Sequence, residues 1–434
     1  MGLYEQCLTG VIEYLQKQMQ PKARRGIFTA PVVIWLMIRQ RLQPRRTLAM
    51  GVESLIAGEA DRLLSPCKRT RQRRFSHRTG GYSHARQRLP KLLCRQVLIE
   101  LTTRLREILK PEGGPRAYIL DGSSLELEAS PGLCRLYPPA ENQRVRGHWP
   151  ILRLVALHEA ETGLAETPHW GPMYGANAVS EQQLAEQAML GLERGSILIG
   201  DRNFGIFSVA WAARQRNLEV IIRMQNERAY KVAGGPIARE GEQAVCWKPS
   251  RFDGRSRGGM PPEASISGRL ISVRIGRGKS QQWLHVFTTL ELPQQEVLAL
   301  YGKRWNIETD LRSLKRTVGL NHIAARNESM MEKEVLTAMA AYNLVRAVMA
   351  LAAYRHQLSP RQLSFTFVLN VVNARWPRLQ ATTDVETYRH EVHDMIDAAA
   401  QGIHPKRRKR RNFPRAVWGH GFHFPLRKAK SPNA

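Results

Sequence analysis

Between residues 117 and 222, short apolar runs alternate with helical patterns, and this alternation restricts the fold more than any other feature of the chain. Ala117-Tyr118-Ile119-Leu120 reads as a strand that ends in Asp121-Gly122, and Ile151 to His158 reads as a second strand of the same kind. Ser196 to Gly200 is a third, ending in Asp201, and Leu218 to Ile222 a fourth. Between them, Ser180 and Gln183 form a capping box that opens a helix through Leu192, closed by Gly195, and another helix lies around Ser208 to Arg216. Strands alternating with helices predict an α/β sheet.

The flanks have a different character. Residues 1–112 read as a helical domain, with amphipathic stretches at Val32 to Arg41 and Leu89 to Leu109, and the turn cluster Pro111 to Pro115 marks its end. Residues 113–224 form the first part of the α/β core. Over 225–290, Gly and Pro punctuate short strands, and Arg269 to Ile275 pairs with Trp283 to Phe287 across a turn at Gly276 to Lys279. This is a β-rich insertion. Residues 291–356, helical through Leu320 and again from Lys333, complete the core, and 357–434 form a helical extension with a basic tail.

With 66 Lys and Arg against 37 Asp and Glu, the 434-residue chain carries a formal charge of +29. A field of that sign over a whole surface points to a polyanionic partner, and nucleic acid is the default. Two runs concentrate it: Lys68-Arg69-Thr70-Arg71-Gln72-Arg73-Arg74, and six consecutive cations from Lys406 to Arg411. A solvated face or a basic tail is the bland explanation of one such run; two runs on this background favour nucleic acid. The longest mainly apolar run, Phe28 to Ile38, is far shorter than the roughly 20 residues a bilayer span needs, so no membrane is expected. The N-terminus lacks a secretory layout, which predicts a cytoplasmic protein. Five cysteines, scattered and without CxxC spacing, predict neither disulfides nor structural zinc.

The candidate chemistry lies in three acids. Asp121 and Asp201 each follow four apolar residues, at the strand ends from which open α/β sheets present functional groups. Two neighbouring carboxylates repel unless a cation lies between them, and a divalent ion is the usual solution. On a helix at about 100° per residue, Tyr301, Arg304, Glu308 and Lys315 fall within about 60° of one another, beside an apolar face of Ile307, Leu311, Leu314 and Val318. Asp310 points to the far side. Taken alone, Arg304 and Glu308 are an ordinary i,i+4 ion pair worth a few tenths of a kcal/mol.

Asp121, Asp201 in the string Asp201-Arg202-Asn203-Phe204, and Tyr301-x2-Arg304-x3-Glu308-x6-Lys315 beside Trp305 together resemble the DDE transposases of bacterial insertion sequences, specifically the insertion-sequence-four type marked by a Tyr-Arg-Glu-Lys signature. The resemblance covers roughly residues 115 to 350. It implies a ribonuclease-H-like catalytic core interrupted by a β-rich insertion, in which Asp121, Asp201 and Glu308 hold two Mg2+ ions, with Mn2+ as a substitute. It implies phosphate contacts from Arg304 and Lys315, with Tyr301 on a phosphate or beside a displaced nucleotide. It further implies a tryptophan on the insertion that stacks on a flipped base; Trp283 matches, with Trp247 as competitor. The implied partners are double-stranded DNA, as transposon ends and as target, and a second copy of the chain in a homodimeric synaptic complex near the nucleoid. The N-terminal helices resemble an end-recognition domain, where the segment Ser83 to Pro90 would place Arg86 and Arg88 near DNA or form a surface helix. Two other classes stay open: a catalytically silent DNA-binding derivative, and a stand-alone ribonuclease-H-like nuclease.

Overall fold

The structure is a computed structural model and describes residues 11, 26–109, 114–141, 146–250, 260–261, 263–276 and 281–404. The basic run from Lys406, residues 111–113 of the Pro111 to Pro115 boundary and most of the Gly276 to Lys279 turn lie outside the described residues.

Nine strands form one mixed sheet: β1 (Ala117–Glu126), β2 (Pro139–Glu141), β3 (Arg146–Glu159), β4 (His169–Pro172), β5 (Ile197–Gly200), β6 (Glu219–Met224), β7 (Gly241–Trp247), β8 (Ile266–Ile275) and β9 (Gln282–Thr288). Their order is β2-β3-β1-β5-β6-β9-β8-β7, with β4 paired to β3. At the centre β1, β5 and β6 run parallel, and β3 and β9 flank them antiparallel. The β-rich segment therefore extends the central sheet, because β9 pairs with β6 from Ile221↔Thr288 to Met224↔His285.

Among the described residues, twelve α-helices have seven or more residues: α1 (Ala30–Leu42), α2 (Leu48–Ile56), α3 (Gly80–Arg88), α4 (Lys91–Ile108), α5 (Glu181–Ala188), α6 (Phe207–Arg214), α7 (Asn226–Ala233), α8 (Gln294–Gly302), α9 (Asn306–Arg312), α10 (Glu328–Arg355), α11 (Phe365–Ala381) and α12 (Val385–Ala400). The capping box at Ser180 and Gln183 forms as its spacing predicts and starts α5. Helices cover both faces of the central strands, which is why Ile197 to Gly200 are buried without alternation. One face of the sheet packs Tyr118, Leu120 and Leu198 against Leu184 of α5 and Phe207 of α6. The other packs Ala117, Ile119, Ile197 and Ile199 against Val297, Tyr301 and Ile307.

A third cluster is built around α10, which gathers α1, α4, α11 and α12. By length and composition α10 could cross a bilayer, but 83% of its apolar window is buried here, as expected of a central core helix. Its glutamate Glu334 accepts from Arg41 at 2.9 Å and from Arg86 at 2.7 Å, and Lys333 Nζ donates to the carbonyls of Arg86 and Gln87 at 3.0 Å. Arg86, expected either near DNA or as part of a surface helix, is thus joined to α10. A carboxylate 248 residues away takes its charge, and α3 docks on α10 through it.

Candidate active site

Side chains alternate across a strand, so the packing partners of β1 fix where Asp121 points. Asp121 shares parity with Ala117 and Ile119, the face covered by Tyr301 and Ile307, and Asp201, on the turn just past β5, lies near enough to the Tyr301 phenol to act on it. Both carboxylates thus lie on the side of the sheet that carries α8 and α9. The parallel ladder between β1 and β5 closes at Leu120↔Gly200, so the two aspartates are the next residues on adjacent chains. One expectation needs correction: β1 does not end at Asp121. It continues to Glu126, with Asp121 opposite Ala156, because the long strand β3 keeps pairing with the polar Asp-Gly-Ser-Ser stretch.

Asp121 Oδ1 accepts from the N–H of Gly122 at 2.8 Å, and Asp201 Oδ1 from the N–H of Asn203 at 2.8 Å. Burial pushes the Asp121 carboxyl up to about 6, and Asp201 beside it adds to the rise, against the pull of the Gly122 N–H and of Arg304.

The stretch carrying the signature is not one uniform helix. After α8 the chain tightens into a 3₁₀ turn at Lys303–Trp305, runs as α9, and widens into a π turn at Ser313–Thr317. Such turns concentrate at functional sites. Tyr301 and Arg304 are turned inward, at 6% and 9% exposure. Burial pushes the Tyr301 phenol up, while Arg304 and Arg223 pull it down, and Asp201 lies near enough to oppose them. Lys315, in the π turn, donates to the carbonyl of Ser124 at 2.8 Å, and although burial pulls its ammonium down, Asp121 and Glu126 hold it up. Tyr301, Arg304 and Lys315 therefore converge on the two aspartates.

Glu308 is on the same side, but its partner is Arg304 at 3.6 Å, the ion pair that spacing alone predicts. Among the described residues no group of three His, Cys, Asp or Glu side chains is gathered closely enough to hold a metal ion. Asp310 points away, as expected, into a buried cluster: it receives Arg346, Arg361 at 2.7 and 2.8 Å, and His158 at 3.6 Å.

The tryptophans differ in kind. Trp247 is 3% exposed and packs edge-on against Phe207 and Phe287, a core residue. Trp283 is half-buried, stacked on His285, with the Arg274 guanidinium 4.8 Å from its ring centre. Trp305 is exposed, and Arg304 lies 4.5 Å from its ring centre.

Two residues at this site escape sequence reasoning. Arg223, near the end of β6, lies against the Tyr301 phenol; the strand-end rule that finds the aspartates would have found it. Glu181, the first residue of α5, neighbours both aspartates, and no spacing announces it.

An α/β sheet presenting two adjacent aspartates to a helical segment that carries a glutamate, arginine and lysine defines a class, and residues 112–344 match the family described as the transposase DDE domain. The chain belongs to the DDE transposase family and is a transposase. Among curated proteins it is similar to "Transposase InsG for insertion sequence element IS4" of Escherichia coli (strain K12), at 25% identity over 361 residues, covering 80% of this chain and 78% of that one.

Proposed function

We propose that this transposase binds the inverted-repeat ends of an insertion sequence, cuts them at a site built from Asp121, Asp201 and Glu308, and joins the freed 3′-hydroxyls to target DNA. The observation that carries this reading is the placement of two register-adjacent aspartates on the sheet face covered by the signature helices. The mixed sheet with parallel central strands supports a ribonuclease-H-like core.

The donor set suits a hard divalent cation. Among the described residues neither Asp121 nor Asp201 forms an ion pair, and each has an oxygen oriented by a backbone N–H. Glu308 would complete the set on leaving Arg304, so the three acids would hold Mg2+, with Mn2+ as substitute. Two such ions, when bound, activate the attacking oxygen and stabilise the leaving oxygen of an in-line phosphoryl transfer. Arg304 binds a phosphate through its planar fork and Lys315 as a point charge. Tyr301, held by Arg223, donates to the same backbone. Trp283, half-buried, stacks on a base displaced at the cut, a role the buried Trp247 cannot take without leaving the core. The first nick frees a 3′-hydroxyl that attacks the opposite strand, closing a hairpin that is reopened before strand transfer. A homodimer would hold the two ends together.

The test is cleavage of labelled DNA flanking the gene, with Mg2+, by the wild type, Asp121→Ala and Glu308→Gln, resolved on a denaturing gel. A nick followed by a hairpin-sized product only with the wild type is expected, with retardation of the DNA unchanged in both variants. Retardation without cutting by any of the three would favour the silent DNA-binding reading, and cutting of any sequence without a hairpin a simple nuclease.

A further inference from the structure

Asp121 sits within a paired strand, whereas Asp201 stands on a turn just beyond the last residue of β5. Its direction therefore depends on what holds residues 202–204. That support comes from the start of α5, a helix fixed by its capping box and by Arg153 Nη1 donating to the carbonyl of Val179 at 2.7 Å. The Glu181 carboxylate accepts from Asn203 Nδ2. Gln182 Nε2 donates to the carbonyl of Asn203 at 3.0 Å and to its Oδ1 at 3.2 Å. Asn203 in turn donates its backbone N–H to Asp201 Oδ1. On its other side Glu181 lies over β1, so close that a Cβ on Gly122 would stand 2.5 Å from the carboxyl carbon. One side chain thus touches the residue after Asp121 and the loop that aims Asp201.

We infer that Glu181 is a positioning residue for the aspartate pair, holding the Asp201 turn through Asn203 at a fixed offset from the Asp121-Gly122 peptide. The inference rests on the reading of Asp121 and Asp201 as metal-holding residues. Hydrogen-bonded supports of metal-binding carboxylates commonly change metal affinity by about 10–100-fold when removed. Glu181→Ala and Asn203→Ala remove the two ends of one contact, the Asn203 Nδ2 to Glu181 bond, while the Asn203 backbone N–H to Asp201 remains in both, so losing either side chain should have the effect of losing both.

The experiment is titration of the full-length protein with Mn2+, reading free ion by its electron paramagnetic resonance signal, for wild type, Asp121→Ala, Glu181→Ala, Glu181→Gln, Asn203→Ala and the double variant Glu181→Ala/Asn203→Ala. Asp121→Ala should abolish tight binding. Glu181→Ala and Asn203→Ala should each weaken it about 10–100-fold, the double variant should be within about threefold of either single one, and Glu181→Gln, whose carbonyl can accept from Asn203, should recover most of the loss. Wild-type affinity in Glu181→Ala, with Asp121→Ala defective, overturns the inference and leaves the metal reading intact. Effects of Glu181→Ala and Asn203→Ala that multiply in the double variant overturn it as well, since the two would then act separately. Undiminished binding in Asp121→Ala overturns the metal reading itself, and with it this one.

Discussion

Asp121, proposed above to hold a metal, is kept at a cost to stability. In the unfolded chain its carboxyl ionises near the usual 3.8; in the fold, burial first and Asp201 second push that to about 6. The native state therefore favours the protonated form, and the sign follows. Its contribution is fully stabilising below pH 3.8 and is lost as pH rises through 6, leaving an ionised group that opposes folding at neutral pH. Asp121→Asn should accordingly raise the thermal midpoint at pH 7–8 without added metal, by an amount equivalent to at most ~2–3 kcal/mol. The gain should shrink toward nothing as pH falls from 6 to 4, and the same variant should not cut DNA. Melting curves at several pH values check this; equal midpoints at pH 8 would show that Asp121 is not strained by its surroundings.

At the scale of elements, the segment from Tyr301 to Lys315 is aimed by a residue that faces away from the site. Asp310, two positions past Glu308 and fully buried, is held by Arg346 of α10 and by Arg361, while Arg361 also donates to the carbonyls of Glu159 and Ala160. Burial alone would push the Asp310 carboxyl up, but the two guanidiniums outweigh it and hold it below the usual range. Asp310→Asn removes the charge and leaves two buried cations uncompensated, a loss of about 3–5 kcal/mol. Chemical denaturation should show it, whereas Glu308→Gln at the half-exposed neighbour should change stability by well under 1 kcal/mol. Similar midpoints for the two variants would mean that the buried cluster does not anchor the helix. The strand-and-helix alternation and the signature spacing make this region legible because both depend on neighbours within a few residues. Asp310 is even assigned to the correct side from its rotation alone. What is illegible depends on partners far along the chain: Glu181 meets Asn203 and Gly122 only once the strands are adjacent, Arg86 is claimed by Glu334, and β1 outlasts its apolar run because β3 is there to pair with it. The choice between Trp247 and Trp283 likewise rests on burial, which two strand tryptophans in a sequence do not reveal.

Across the whole molecule, positive charge separates into cations that hold the fold and cations left for a ligand. Arg41 and Arg86 belong to the first group, joined to Glu334 where the N-terminal helices meet α10. In the run that begins at Lys68, Arg73 pairs with Asp61 at 2.5 Å, while Lys68, Arg69, Arg71 and Arg74 are exposed, as is Arg78 just beyond. A chain of formal charge +29 owes much of its DNA affinity to counterion release, which ties the salt dependence to the number of phosphates neutralised, about 0.9 in log–log slope for each on duplex DNA. Replacing Lys68, Arg69, Arg71 and Arg74 together by Ala should therefore flatten the slope by on the order of three to four units if each meets a phosphate, with little change in thermal midpoint, since among the described residues these side chains are exposed and form no ion pair. Arg86→Ala should do the opposite: it leaves Glu334 with one partner fewer and lowers the midpoint, while the slope stays as in the wild type. Binding isotherms at a series of salt concentrations, paired with melting curves, distinguish the two groups. A quadruple variant with an unchanged slope would place the DNA elsewhere on the surface, and a flattened slope in Arg86→Ala would mean that its ion pair with Glu334 gives way when DNA binds.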